Sequence, residues 1–239
     1  MRRTAPRFET FADVLEQLGG IEPRRVRADI APGRATESDL VRLLDRSQRL
    51  YELVDGVLVE KVTGVRESFL AVWLTHLLQS FAQQKLGIFL GADGAVRLLP
   101  GLVRVPDVSF ISWDRLPVRG QVPDEPIASL VPDLAVEVLS RTNTRAEMER
   151  KLKEYFLAGV HLVWFVDPRA RTVQSFTAPD QSITLNETHV LGGGDVLPGL
   201  SLPVKSIFEN IGPAPEQQSA AAGKPKEPRK QGRGKKRTT

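Results

Sequence analysis

The chain contains no cysteine, which excludes disulfides, thiolate chemistry and any zinc site with cysteine ligands. Histidine is nearly as scarce, and the three present are His76, His161 and His189, with no HxxxH or HxH spacing. A histidine-rich metal site is therefore not expected. The remaining hard ligands are carboxylates, which favour Mg²⁺ or Mn²⁺ as the cofactor if a metal is bound.

Long hydrophobic runs are also lacking. No stretch approaches the ~18 consecutive apolar residues of a membrane span, so no membrane association is expected. The arginines at positions 2 and 3 are not followed by an apolar segment of the kind found in secretory signals. We expect a cytoplasmic protein.

Positive charge is concentrated at one end of the chain. Residues 213–239 hold eight Lys or Arg and two Glu, so the net charge of this tail is +6, whereas residues 1–212 carry a net −2. The tail has almost no bulky apolar residue and is expected to be disordered. Two interpretations stay open: a non-specific nucleic-acid arm and a solubilising appendage.

The order of predicted elements indicates an α/β fold. Residues 1–35 read as an N-terminal helical extension, and residues 36–212 as one domain. Within the domain, two short apolar runs flanking Asp55-Gly56 predict a hairpin that turns there. Apolar residues that recur on one helical face predict a helix from Glu67 to Lys85. Further strands are predicted at Gly94–Leu99, Leu102–Ile111, Leu134–Leu139, Leu162–Val166 and Thr172–Phe176, with a helix over residues 144–158. The strand–helix–strand unit predicts a mixed central sheet with helices on both faces.

Two acidic residues stand inside apolar runs. Asp107 lies in Val105-Pro106-Asp107-Val108, and Glu137 lies in Ala135-Val136-Glu137-Val138. A buried carboxylate costs free energy unless it is paired, hydrogen-bonded or bound to a metal. On neighbouring strands the two could converge on one cation. The alternatives are a Pro-Asp turn or a strand-end cap for Asp107, and for Glu137 a structural ion pair with Arg97, Arg104 or Lys151.

Metal-dependent nucleases often carry a lysine two residues after such a glutamate, but that position here is Leu139. The following helix offers Lys151 and Lys153. Helical periodicity places Lys151 beside the apolar stripe of that helix and Lys153 towards solvent. Lys151 could instead be a surface lysine whose stem follows the apolar stripe, or the i,i+4 partner of Glu147.

Three other residues have more than one interpretation. Glu52, in the first hairpin, is equally consistent with a further acid at the site and with an exposed strand residue. The side chains of Tyr155 and Trp164 fit packing better than chemistry.

These residues lie in segments that resemble the Uma-type family of restriction endonucleases, a branch of the PD-(D/E)XK nuclease superfamily. The segments are Tyr51–Gly56, Leu102–Ile111, Pro132–Ser140, Lys151–Tyr155 and Gly159–Pro168. The resemblance implies a restriction-endonuclease-like core, a divalent cation, and a lysine moved from the strand to the next helix. By similarity the active-site residues are Asp107, Glu137 and Lys151, with Glu52 as a further member. One departure is Arg141, where many family members have proline.

The leading hypothesis is a Mg²⁺- or Mn²⁺-dependent endonuclease that hydrolyses phosphodiester bonds in DNA, with Asp107 and Glu137 as the metal ligands. One alternative is a nuclease fold that binds DNA or a protein partner without cutting. Another is a structural or regulatory protein whose buried charges form a salt-bridge network. The sequence leaves open whether the chain acts as a homodimer.

Overall fold

The computed structural model describes residues 8–82 and 86–212. The predicted disordered tail, residues 213–239, and the predicted helix end at Lys85 lie outside the described residues. The helices are α1 (Phe11–Gln17), α2 (Glu37–Leu44), α3 (Val65–Ala82), α4 (Arg145–Ala158) and α5 (Val204–Phe208). The strands are β1 (Leu50–Val54), β2 (Val57–Lys61), β3 (Gly87–Leu90), β4 (Val96–Leu99), β5 (Leu102–Arg104), β6 (Val108–Ser112), β7 (Leu134–Val138), β8 (Leu162–Asp167), β9 (Thr172–Ala178), β10 (Gln181–Asn186), β11 (Val190–Gly193) and β12 (Leu197–Pro203).

The central sheet has six strands in the order β10-β9-β8-β7-β6-β3. Strands β7 and β8 run parallel and are joined through α4, whereas the other neighbours are antiparallel. Residues on one face of β7, including Val136 and Val138, pack in a core with Leu70 and Leu74 of α3 and with α5. The opposite face packs against α4. The predicted mixed sheet with helices on both faces is confirmed.

A second, four-stranded sheet has the order β2-β1-β5-β4. Its first hairpin turns at Asp55 and Gly56, which both have positive φ, 50° and 72°. This is the backbone of the tight turn predicted for an Asp-Gly pair. The inner side of this sheet shares a core with Met148, Leu152 and Tyr155 of α4, so α4 lies between the two sheets.

The prediction of one strand over Leu102–Ile111 is wrong. The segment forms β5 and β6, which belong to different sheets. Pro106 lies in the break; it has no backbone N–H to donate to a ladder and restricts the conformation of the preceding residue. Asp107 therefore immediately precedes β6 and does not lie within a strand. The short edge strand β3 was also missed.

The boundaries of α4 follow its capping residues. The Thr144 hydroxyl accepts a hydrogen bond from the Glu147 backbone N–H, and the helix ends at Gly159, whose φ is 98°. The Glu147 carboxylate does not complete a capping box at Thr144, because it binds Arg25 instead. Within the described part of the chain, no helix is both long and apolar enough to cross a membrane.

Candidate active site

Asp107 and Glu137 lie side by side across the β6–β7 pair. Val108 is the register partner of Val136, and the Asp107 backbone N–H donates to the Val136 carbonyl at 3.0 Å. The Asp107 Oδ2 atom accepts a hydrogen bond from the Val138 N–H at 2.7 Å. Both carboxylates are on the face of the sheet that α4 covers, and their side chains are only 5% and 6% exposed. Asp107 is thus held by backbone in a fixed position next to Glu137.

Lys151 points from α4 into this cluster. Its Nζ atom lies 2.9 Å from Glu137 Oε1 and 3.3 Å from Glu52 Oε1. Lys153, two residues on, is exposed. The Glu147 carboxylate, the alternative partner considered for Lys151, forms a bidentate ion pair with Arg25. The structure therefore places Lys151 inward and in contact with two acids.

Glu52 is buried, so the interpretation as an exposed strand residue is wrong. One of its oxygens lies 2.6 Å from Arg104 Nη1, and the other accepts a hydrogen bond from the Val105 N–H at 3.1 Å. Arg104 in turn binds Glu154 of α4. Glu52 thereby links the four-stranded sheet to the cluster around Glu137.

Three residues that contact these acids were not identified from the sequence as part of the site. Tyr155, assigned to packing, donates its hydroxyl to Glu137 Oε1. Arg104 was considered only as a partner of Glu137, but it pairs with Glu52. Lys61, at the end of β2, was overlooked altogether: its Nζ atom lies 2.8 Å from Asp107 Oδ1 and 3.9 Å from Glu137 Oε2.

A signal for Lys61 was present in the sequence. Strand residues that are two apart point to the same side, so Lys61 shares a side with Val57 and Val59. Both valines are buried. A lysine that continues an apolar stripe of this kind needs a buried acidic partner.

The buried charges shift several pKa values. Burial would by itself raise the pKa of the Glu52 carboxyl, but Lys151, Arg104 and Lys61 lower it below its ordinary range. Burial opposes the charged form of Lys151, yet Glu137 and Glu52 raise its pKa above that of a free lysine. Burial and the nearby Glu137 raise the pKa of the Tyr155 hydroxyl. At neutral pH, Glu52 is therefore ionised, Lys151 is charged, and Tyr155 is a neutral donor.

The central cluster is balanced in charge. It contains three acids, Glu52, Asp107 and Glu137, and three bases, Lys61, Arg104 and Lys151, all of them buried. Within residues 8–82 and 86–212, no group of three His, Asp or Glu side chains is arranged to hold a metal ion. Two carboxylates on one face do fit Mg²⁺ or Mn²⁺, since Mg²⁺ is commonly bound through one or two carboxylates and keeps several waters.

A cleft of about 760 Å³ opens between the N-terminal half of α4 and strands β8 to β10. Its lining includes Leu139, which lies two residues after Glu137 in the chain, and the charged residues Lys153, Arg169 and Asp180. Asp107, Glu137 and Lys151 do not line it. The cleft is thus adjacent to the acidic pair but separate from it.

With this geometry established, comparison with known proteins identifies the family. Residues 38–205 match the model of the family described as "Uma2: Putative restriction endonuclease". The chain belongs to this family. The matched range includes all six members of the central cluster, and it excludes α1 and Arg25.

A solved structure similar to this Uma2-family chain is described as "a putative nuclease belonging to DUF820 from Anabaena variabilis ATCC 29413". The two have a TM-score of 0.60 and 17% sequence identity, over 68% of this chain and 92% of the other. At that identity the likeness establishes a shared fold. No curated protein matches the chain.

Proposed function

We propose that this Uma2-family protein is a Mg²⁺- or Mn²⁺-dependent endonuclease that hydrolyses phosphodiester bonds in DNA. One observation carries the proposal: Asp107 and Glu137 lie on the same face at adjacent positions, and Lys151 donates to Glu137 at 2.9 Å. Membership in a family of restriction endonucleases supports it. One or two carboxylates are the usual protein ligands of Mg²⁺, and such a bound ion can act on a phosphoryl oxygen as a Lewis acid.

Asp107 and Glu137 would hold the divalent cation, which would stabilise negative charge on the phosphodiester by acting as a Lewis acid. Lys151 would offset the charge that develops as the bond breaks. Tyr155 and Lys151 both donate to Glu137 Oε1, which fixes the orientation of that carboxylate. Glu52 would act as a positioning residue, because it contacts the Lys151 ammonium.

DNA is the proposed partner, and the basic tail would add affinity that does not depend on sequence. The net charge of −2 on residues 1–212 provides little attraction for a duplex by itself. In the present conformation the carboxylates of Asp107 and Glu137 are almost inaccessible. Cleavage therefore requires a local rearrangement that opens the site to the DNA backbone.

The charge balance of the cluster favours a second candidate, a nuclease fold that binds DNA or a protein without cutting. Each carboxylate already has a cationic partner, so the network is satisfied electrostatically without a metal ion. The two candidates predict the same fold and differ in whether the protein turns over DNA.

The decisive experiment is cleavage of supercoiled plasmid by the full chain with Mg²⁺ or Mn²⁺, and with EDTA as a control. Glu137→Gln and Asp107→Asn should each abolish nicking, because each removes a charged ligand while preserving side-chain size. The matched control is Glu149→Gln, which alters an exposed carboxylate on α4. Plasmid that stays intact with every metal, while the protein still shifts DNA in a gel, would establish the non-cleaving alternative.

A further inference from the structure

Lys61 reaches the acidic pair from the opposite sheet. It is the last residue of β2 and pairs with Leu50 of β1, and its side chain is 6% exposed. The ammonium contacts Asp107 Oδ1 and Glu137 Oε2 and also donates to the Val105 carbonyl. The side chain of Lys61 is buried along its length, so in this conformation its ammonium is held against the two carboxylates and away from water.

The two lysines of the cluster have different partners. Lys151 contacts Glu137 and Glu52, whereas Lys61 contacts Asp107 and Glu137. The other Asp107 oxygen is occupied by the Val138 N–H. The oxygens that Lys61 contacts are therefore one from each of the two proposed metal ligands. Two buried carboxylates at close range repel each other, and the Lys61 ammonium offsets that repulsion.

We propose that Lys61 is a built-in counter-cation that competes with a divalent metal ion for Asp107 and Glu137. This inference rests on the proposed function, because it concerns the same two carboxylates. A metal ion bound by both carboxylates must displace the ammonium from between them. Lys61 thereby lowers the affinity for the metal and keeps the acidic pair neutralised when no metal is bound.

The first test is calorimetric titration of Mn²⁺ into the full chain and its Lys61→Met variant, which keeps the length of the side chain and removes its charge. The dissociation constant for Mn²⁺ should fall by about tenfold or more. The matched control, Lys153→Met, removes an exposed lysine and should leave the constant unchanged. An equal or weaker affinity in Lys61→Met would overturn the proposal.

Lys61→Met leaves Asp107 without its cationic partner, so a second measurement uses the unaltered chain. A small amine-acylating reagent is applied with and without Mn²⁺, and peptide mass spectrometry compares the modification of Lys61 with that of Lys153. Displacement by the metal frees the Lys61 amine, so its modification should rise several-fold at saturating Mn²⁺ while that of Lys153 stays constant. Constant modification of Lys61 at saturation would overturn the proposal.

The outcomes separate this inference from the proposed function. Tighter Mn²⁺ binding by Lys61→Met without any plasmid cleavage would support the counter-cation and reject the nuclease. Metal-dependent cleavage by the unaltered chain, with unchanged Mn²⁺ affinity in Lys61→Met, would reject the counter-cation alone. If neither protein bound Mn²⁺, both proposals would fall.

Discussion

Glu52 joins Arg104 to Lys151: its Oε2 atom lies 2.6 Å from Arg104 Nη1, and its Oε1 atom lies 3.3 Å from Lys151 Nζ. Arg104 belongs to the four-stranded sheet and Lys151 to α4, so this one carboxylate connects both to the cluster at Glu137. Buried charges of this kind are tolerated when each has a partner, and removal of one partner leaves the other uncompensated.

Removal of the Lys151 ammonium should abolish cleavage and spare metal binding, because a protonated lysine does not act as a metal ligand. Lys151→Met would be inactive in the plasmid assay, whereas Mn²⁺ binding measured by calorimetry would persist. The control is Lys153→Met, which should retain activity because Lys153 is exposed. If Lys153→Met were inactive and Lys151→Met active, the assignment of the lysine would be refuted.

Tyr155→Phe should destabilise the protein, because Glu137 loses a hydrogen bond while the core keeps its volume. Tyr155 is completely buried and donates to a charged acceptor. Bonds of that type contribute about 1.5–3 kcal/mol, so the free energy of unfolding in urea should fall by roughly that amount. In a double-mutant cycle with Glu137→Gln the two effects should not add. Strict additivity would mean that the two side chains do not interact.

Arg25 should contribute strongly to stability although it lies outside the family match. It forms a bidentate ion pair with Glu147, and both side chains are 4% exposed. Arg25→Met leaves a buried carboxylate unpaired and should cost about 3–5 kcal/mol. The neighbouring Arg24 is 79% exposed, so Arg24→Met should leave the urea midpoint where it is. Similar midpoints for the two variants would show that residues before 36 do not anchor to α4.

Acid should destabilise the protein through carboxyl groups whose pKa is lowered by folding. Burial alone would raise the pKa of Glu147, but the hydrogen bonds from Arg25 and the charge of Lys151 lower it. The unfolded chain, with glutamate pKa values near ~4.3, then binds more protons than the folded protein as the pH falls. The stabilisation from the ionised Glu147 is therefore complete above the unfolded-state pKa. It is lost progressively as the pH falls from that pKa through the lower pKa of the folded state.

The measurement is the free energy of unfolding in urea between pH 6 and pH 3.5. Glu147→Gln should show a shallower decline than the unaltered chain, because one of the responsible groups no longer titrates. Glu149→Gln, at an exposed position of the same helix, should keep the original slope. A Glu147→Gln profile parallel to that of the unaltered chain would argue against this origin of the acid sensitivity.

Deletion of residues 213–239 should weaken DNA binding most at low salt, because it removes eight cationic side chains. Each lost phosphate contact should make the plot of log affinity against log salt shallower by up to ~0.9. Fluorescence anisotropy with a labelled duplex measures this slope. A full-length variant with the eight Lys and Arg of the tail changed to Gln separates charge from length. Identical slopes for all three proteins would leave the tail as a solubilising appendage.

The sequence predicted the elements whose signals are local. The hairpin at Asp55-Gly56, the start of α4 at Thr144 and its end at Gly159 follow from backbone conformations that these residues favour. The apolar strand around Glu137 and the parallel β7–β8 pair also followed from the pattern along the chain. Local signals did not reveal that Pro106 separates two strands of different sheets, because each half has the composition of a strand.

The sequence by itself indicated that Asp107 and Glu137 need partners, since a carboxylate within an apolar run is costly when it is buried. Only the tertiary structure decided which residues are those partners. Lys61 belongs to the four-stranded sheet and contacts Asp107, which lies 46 residues further along the chain beside the other sheet. Lys151 of α4 contacts Glu52 of β1, which lies 99 residues earlier. Such pairing depends on how two sheets and α4 pack together, and no periodicity along the chain encodes that arrangement.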